Sequence, residues 1–216
     1  MSEAVTLHGY RHSVYTWMVR MMLSATGVNW QDREVDPFGP LEAWDKALHP
    51  FHRVPVLDHG GFRLYETAAI TRYVDTVFGD GRLSLADAKA SARIEQVIGI
   101  VDSYAYQPLI RQVFAHAVFR PWVGEASDQL VIANGMKVAD PVLSALDEIA
   151  AEGRVLTGDQ LTRADCHLAP VMAYFSATDE GEAALLRAPA LKRWWQQIKG
   201  HDSLRSTWPD GPVQRP

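Results

Sequence analysis

Two short stretches place hydroxyl, acidic and basic side chains where they could do chemistry. In Leu7-His8-Gly9-Tyr10-Arg11-His12-Ser13, the serine opens a run with apolar residues at helical spacing, Val14, Trp17, Met18, Met21 and Met22. A hydroxyl at a helix start offers a hydrogen bond beside the positive end of the helix dipole, and both favour a bound anion. A plain helix N-cap is the alternative role for Ser13, and Tyr15 supplies a second hydroxyl nearby. In the second stretch, Glu66-Thr67 opens another helix, where free N–H groups attract a carboxylate. Simple capping by an acidic and a hydroxyl residue is the alternative there. Arg53 precedes Val54-Pro55 and, read by itself, is a solvated surface charge.

Other chemistries lack their residues. His8, His12, His49, His52 and His59 crowd the first part of the chain, but His49-Pro50-Phe51-His52 has no carboxylate or cysteine partners at metal-site spacing. No metal is expected. There is no Gly-rich phosphate loop and no Ser-His-Asp order. The single cysteine, Cys166, allows neither an internal disulfide nor a CxxC motif and reads as a packing residue. The formal net charge of -5 argues against a nucleic-acid partner. No apolar run approaches the ~20 residues of a membrane span, and no signal pattern opens the chain. Cytoplasmic is the default expectation.

The elements that must position these residues change character along the chain. Residues 4–8 read as a strand, 13–25 as a helix stopped by Gly27, and 30–35 as a half-buried strand. Residues 36–50 hold three prolines and read as a loop with a short helix at Leu41-Glu42-Ala43-Trp44. Two short strands flank the turn Asp58-His59-Gly60-Gly61, and a helix follows over 66–78, with Ile70, Tyr73, Val74 and Val77 on one face. A strand, a crossover helix and a second strand imply a parallel pair, and the hairpin adds antiparallel strands. Beyond Gly81 only helices are expected: one from near Leu85, kinked or interrupted at Pro108, one over 127–152, one from Thr162 and one near Pro189. Thr162-Arg163-Ala164-Asp165 has a capping-box pattern with Asp in place of Glu, flanked by Leu161 and Cys166 as a hydrophobic staple. Residues 209–216 read as a poorly ordered tail.

Three segments in this order resemble the cytosolic glutathione transferase family: LHGYRHSVYTWMVRM, HPFHRVPVLDHGGFRLYETAAITRYV and LTRADCHLAP. The resemblance spans nearly the whole chain. It implies an α/β thioredoxin-like N-terminal domain over 1–80, a linker over 81–86 and an all-α domain over 87–216. It implies glutathione as co-substrate, bound by Arg53, Val54, Pro55, Glu66 and Thr67. A cis Val54-Pro55 bond would aim the Val54 backbone at the cysteine unit of glutathione, Glu66 would take the γ-glutamyl ammonium, and Arg53 the glycine carboxylate. Ser13 fits the phi-class pattern of strand, Gly, three residues and Ser, and a zeta-class alignment reaches the same serine. The usual loop proline is replaced by Arg11, the zeta Ser-Ser-Cys signature is absent, and Thr67 stands where the family usually has Ser. Tyr10, Arg11, His12, Tyr104, Tyr106, Arg111 and Phe114 would line the second pocket, whose aromatic and basic character suits a flat or anionic hydrophobic electrophile. A homodimer keyed by Phe51 is implied. The expected activity is glutathione transfer; an isomerase of the maleylacetoacetate type and a non-catalytic binding protein of the same fold are the alternatives.

Overall fold

The computed structural model describes residues 3–39 and 48–215, so the short helix expected at 41–44 lies outside the described residues. Four strands, β1 (Val5–Gly9), β2 (Gln31–Glu34), β3 (Val56–His59) and β4 (Phe62–Tyr65), form one mixed sheet in the order β2-β1-β3-β4. β1 runs parallel to β2 and antiparallel to β3, with Leu7 opposite both Asp32 and Leu57, and β3 and β4 form the hairpin. Two helices belong to this layer, α1 (Val14–Thr26) and α2 (Thr67–Phe78). β2 was expected to be half-buried, yet all four of its residues are exposed, because it is an edge strand rich in charge. On α2, Ile70 and Val74 are fully buried, whereas Val77 is exposed.

From residue 88 onward the regular structure is helical: α3 (Ala88–Ile100), a π-helical continuation over Val101–Phe119, α4 (Arg120–Trp122), α5 (Gln129–Ala151), α6 (Arg163–Phe175), α7 (Asp179–Leu185), α8 (Pro189–Ile198) and α9 (Asp202–Ser206). The rod does not break at Pro108. It winds wider instead, with bonding five residues back, as where the Arg120 N–H meets the Ala115 carbonyl. The short helices α4, α7 and α9 lack the length that makes an apolar period visible in sequence. The segment expected to be loose is anchored as far as Val213: the Trp208 indole N–H donates to the Val213 carbonyl (3.0 Å), and Val213 rests on the core.

α1 joins the two layers. Trp17, Met18, Val19, Met21, Met22 and Leu23 are all fully buried, and each such burial stabilises by roughly 1.5–3 kcal/mol. Trp17 reaches into the helical layer, where its N–H donates to the Thr207 hydroxyl (3.1 Å) and its ring lies against Tyr174 and Trp208. The start of α1 is therefore held from both sides.

Candidate active site

The loop between β1 and α1 presents Ser13. β1 must end in glycine here, because a Cβ at Gly9 would lie 2.2 Å from Thr16 Cγ2 in the first turn of α1. Ser13 is the N-cap, with extended backbone angles, and its Oγ accepts a hydrogen bond from the Thr16 N–H (3.2 Å). The capping role foreseen for Ser13 is thus present, and it uses the oxygen only as an acceptor. Among the described residues the Ser13 O–H has no acceptor, so the proton remains available to a ligand. The Tyr174 hydroxyl on α6 donates to the His12 carbonyl (3.3 Å) and holds the loop one residue before the serine.

Two adjoining cavities meet at this loop. One, of about 280 Å³, is lined by Arg53, Val54, Pro55, Glu66, Thr67 and Tyr15, with His49 and Asp102. The other, of about 500 Å³, is lined by Ser13 and by Tyr10, His12, Tyr106, Arg111 and Phe114, among others. Tyr15, Arg53 and Val54 border both. A cavity of about 560 Å³ between α6, α7, α8 and the C-terminal residues touches none of these side chains, so chemistry rather than size marks the site.

The smaller cavity has its hydrogen-bonding groups open. The Val54-Pro55 bond is cis, and among the described residues the Val54 N–H and C=O make no hydrogen bond. Glu66 sits at the start of α2 with φ +71°, a left-handed conformation that a non-glycine residue adopts at some cost, and its side chain makes no capping bond. The first N–H groups of α2 are therefore left for a ligand. Asp102, from the π-helical segment, borders the same space. Its residue keeps contact with solvent, but the protein around its carboxyl desolvates it and Glu66 repels its charge, together raising it to about 6. Burial raises the Tyr15 phenol far above its usual range, with Asp102, Tyr106 and Glu66 adding to the effect. Burial also lowers His49, whose Nδ1 accepts from the Phe51 N–H (3.0 Å), leaving the Nε2–H as the donor.

Some expected site residues stand elsewhere. Arg11 does not face the second cavity: its backbone N–H and its guanidinium both bond to Glu34, at 3.1 and 3.2 Å, because β2 brings that carboxylate beside the loop. Tyr104 is 64% exposed and lines neither cavity. It lies two residues before Tyr106, and residues two apart on a helix do not share a face. His8 is buried against Asp58 (3.0 Å), which also binds Arg63, so it belongs to the sheet. Phe51 is exposed beside Tyr65 and His49. Sequence reasoning missed Asp102 and His49. Asp102 carried a signal, since it stands four residues before Tyr106 and so on the same face. His49 carried none, because only the path of the loop before Pro55 brings it in. Among the described residues, no group of three or more His, Cys, Asp or Glu is gathered as a metal site.

Comparisons with known proteins bear on the family and the fold. Residues 7–82 match the glutathione S-transferase N-terminal domain, and residues 110–202 match the C-terminal domain. The chain is 29% identical over 170 residues to glutathione S-transferase 3 of Zea mays, covering 79% of this chain and 77% of that one. It is 28% identical over 208 residues to glutathione S-transferase 4 of Zea mays, covering 91% and 88%. The solved apo structure of a glutathione S-transferase III superposes with a TM-score of 0.83 at 25% identity, over 99% of both chains. With both domain models matched in order, a thioredoxin-like sheet and an all-helical second layer, this chain belongs to the cytosolic glutathione transferase family and is phi-class-like.

Proposed function

We propose that this chain binds glutathione in the smaller cavity, stabilises its thiolate at Ser13 and passes the sulfur to a hydrophobic electrophile in the larger one. The observation that carries the reading is the junction of the two cavities at the start of α1, where Ser13 caps the helix through its oxygen and keeps its proton free. The open groups of the smaller cavity suit the parts of glutathione in turn. The unpaired Val54 backbone can bond an extended peptide like one more strand. The uncapped N-terminus of α2 and the Thr67 hydroxyl suit the γ-glutamyl carboxylate, while Glu66 and Asp102 together suit its ammonium. Arg53 suits the glycine carboxylate.

The chemistry follows from thiol ionisation. Only the thiolate is a good nucleophile, and hydrogen bonding to the charged form beside a helix N-terminus lowers the pKa of a thiol. Among the described residues Ser13 has no basic partner to make it a nucleophile itself, so its proposed role is donation to sulfur. The test is retention on immobilised glutathione followed by conjugation of an activated aryl chloride. Glu66→Ala should raise the Kd for glutathione about ten-fold or more, in line with loss of a hydrogen bond to a charged group, and should change kcat at saturation far less. Unchanged affinity in a calorimetric titration would place glutathione elsewhere. The domain division near residues 80–87 and a homodimer keyed by Phe51 belong to the same proposal.

A further inference from the structure

The larger cavity differs in charge from the rest of the molecule. The chain carries a net charge of -5, yet none of the side chains described around this cavity is acidic, and two are arginines, Arg53 and Arg111. The other arginines near the loop are neutralised: Arg11 by Glu34 and Arg20 by Asp32. Arg111 makes no ion pair or hydrogen bond among the described residues. It stands on the π-helical segment three residues before Phe114, which forms the floor by stacking on Tyr174 (4.4 Å, 7° between planes). Across the opening, Tyr10 meets Phe38 and His12 edge-on, at 5.8 and 5.3 Å, and His12 meets Phe119 at 5.8 Å. The space is thus an aromatic slot with two guanidinium groups without an ion-pair partner among the described residues; Arg53 borders the smaller cavity as well, and Arg111 borders this one alone.

We infer that the preferred electrophile of this site is a flat aromatic compound bearing a carboxylate, with the ring held in the slot and the carboxylate taken by Arg111. A guanidinium meets a carboxylate through two parallel N–H···O bonds, and Arg111, with no ion-pair partner among the described residues, keeps its charge uncompensated until the ligand arrives. Arg53 is already assigned to glutathione, so Arg111 is the cation left for the second substrate. The inference rests on the transferase reading for turnover, but the selectivity it describes is a property of the cavity and can be read by binding alone.

In the reaction tested, the thiolate sulfur attacks the ring carbon that bears chlorine. The C–S bond forms, the C–Cl bond breaks with its electron pair leaving as chloride, and the thiol proton passes to solvent. The experiment compares the chloronitrobenzoate with chlorine para and nitro meta to the carboxylate against its uncharged amide. Each kcat/KM is divided by the uncatalysed rate with glutathione at the same pH. The benzoate should be favoured about ten-fold, the low end for a charge-assisted hydrogen bond at a wall that water can reach, and the preference should shrink as salt is raised. Arg111→Ala should bring the benzoate-to-amide ratio close to one, and Arg111→Lys should restore part of it. The same ratio, read as Kd by titration without glutathione, should behave alike. A ratio near one in the wild type, or one that survives Arg111→Ala, overturns the inference. If neither compound is turned over but the binding ratio holds and falls with Arg111→Ala, the selectivity stands and the transferase reading fails.

Discussion

At the scale of single residues, the question is which hydroxyl meets the sulfur, and the surroundings of the two candidates support the proposal of Ser13. Tyr15 also borders the cavity that holds Glu66 and Asp102; burial pushes its phenol upward, and both acids add to that. The same negative field opposes a thiolate beside it. Both hydroxyls border the larger cavity, around which no acidic side chain is described, but only Ser13 sits at the positive end of α1. Ser13→Ala should therefore raise the pKa of bound glutathione and cut turnover at neutral pH by about 10²-fold, as for loss of one donor to a developing anion. Affinity for glutathione should change little, and the loss should shrink at high pH, where the thiolate forms unaided. Thiolate absorbance against pH for the wild type, Ser13→Ala and Tyr15→Phe checks this. A titration moved by Tyr15→Phe and not by Ser13→Ala would assign the activation to the tyrosine. Cys166, fully buried with its thiol pushed up by burial, takes no part in this chemistry.

At the scale of elements, helix starts do most of the positioning, and the strongest is that of α6. The Thr162 side chain receives the Asp165 N–H, and the Asp165 carboxylate accepts from the Thr162 N–H (2.7 Å) and hydroxyl (2.6 Å). Its other oxygen accepts from the Trp194 indole N–H of α8 (2.6 Å). The capping box is thus also a joint between two helices; burial pushes this carboxyl up, and these donors offset only part of that. Thr162→Ala should cost about 1 kcal/mol, as for an ordinary cap. Asp165→Ala should cost more, about 3 kcal/mol or above, because it strands buried donors on two elements. Urea midpoints of the two variants give the order; equal losses would show that the tie to α8 contributes nothing. α6 matters to the site because Tyr174, near its far end, holds the loop that carries Ser13.

At the scale of the whole molecule, the two layers are tied by polar contacts as well as by α1. Thr71 on α2 donates to the Ala68 carbonyl (3.1 Å) and can accept from His167 Nε2 on α6 (2.8 Å). The other ring nitrogen, Nδ1, is buried without a partner. Burial, and then the charge of Arg163, lower His167 to about 3. A histidine in the unfolded chain titrates near ~6.5, so between about pH 6.5 and 3 the unfolded state holds a proton that the native state refuses. Stability should then fall as pH drops through that window, by up to about 1.4 kcal/mol per unit from this group. His167→Gln should remove that part of the slope, read from denaturation midpoints between pH 6.5 and 4; an unchanged slope would exclude this histidine as the source. The proposed dimer makes a separate expectation. Light scattering at micromolar concentration should give twice the mass of the chain, and Phe51→Ala should weaken the association.

The sequence by itself determined what local rules control. The helix start at Ser13, the stop at Gly27, the hairpin around Gly60-Gly61 and the capping box at Thr162 each follow from a residue type acting on its own backbone, and all are present in the structure. The change from mixed to helical character past Gly81 was legible because the period of apolar residues changes there. Tertiary structure decided which side chains face one space. Arg11 and Tyr104 had suitable chemistry, but β2 captures the first and helical phase turns the second outward. Asp102 joins Glu66 across 36 positions of sequence because the helix that continues α3 and the start of α2 border one cavity. Pro108 signalled a break, yet a wider winding carries the helix through it and keeps Tyr106, Arg111 and Phe114 on the cleft. Local propensity acts over a few residues, whereas the charge and shape of a cavity are sums over elements that only folding brings together.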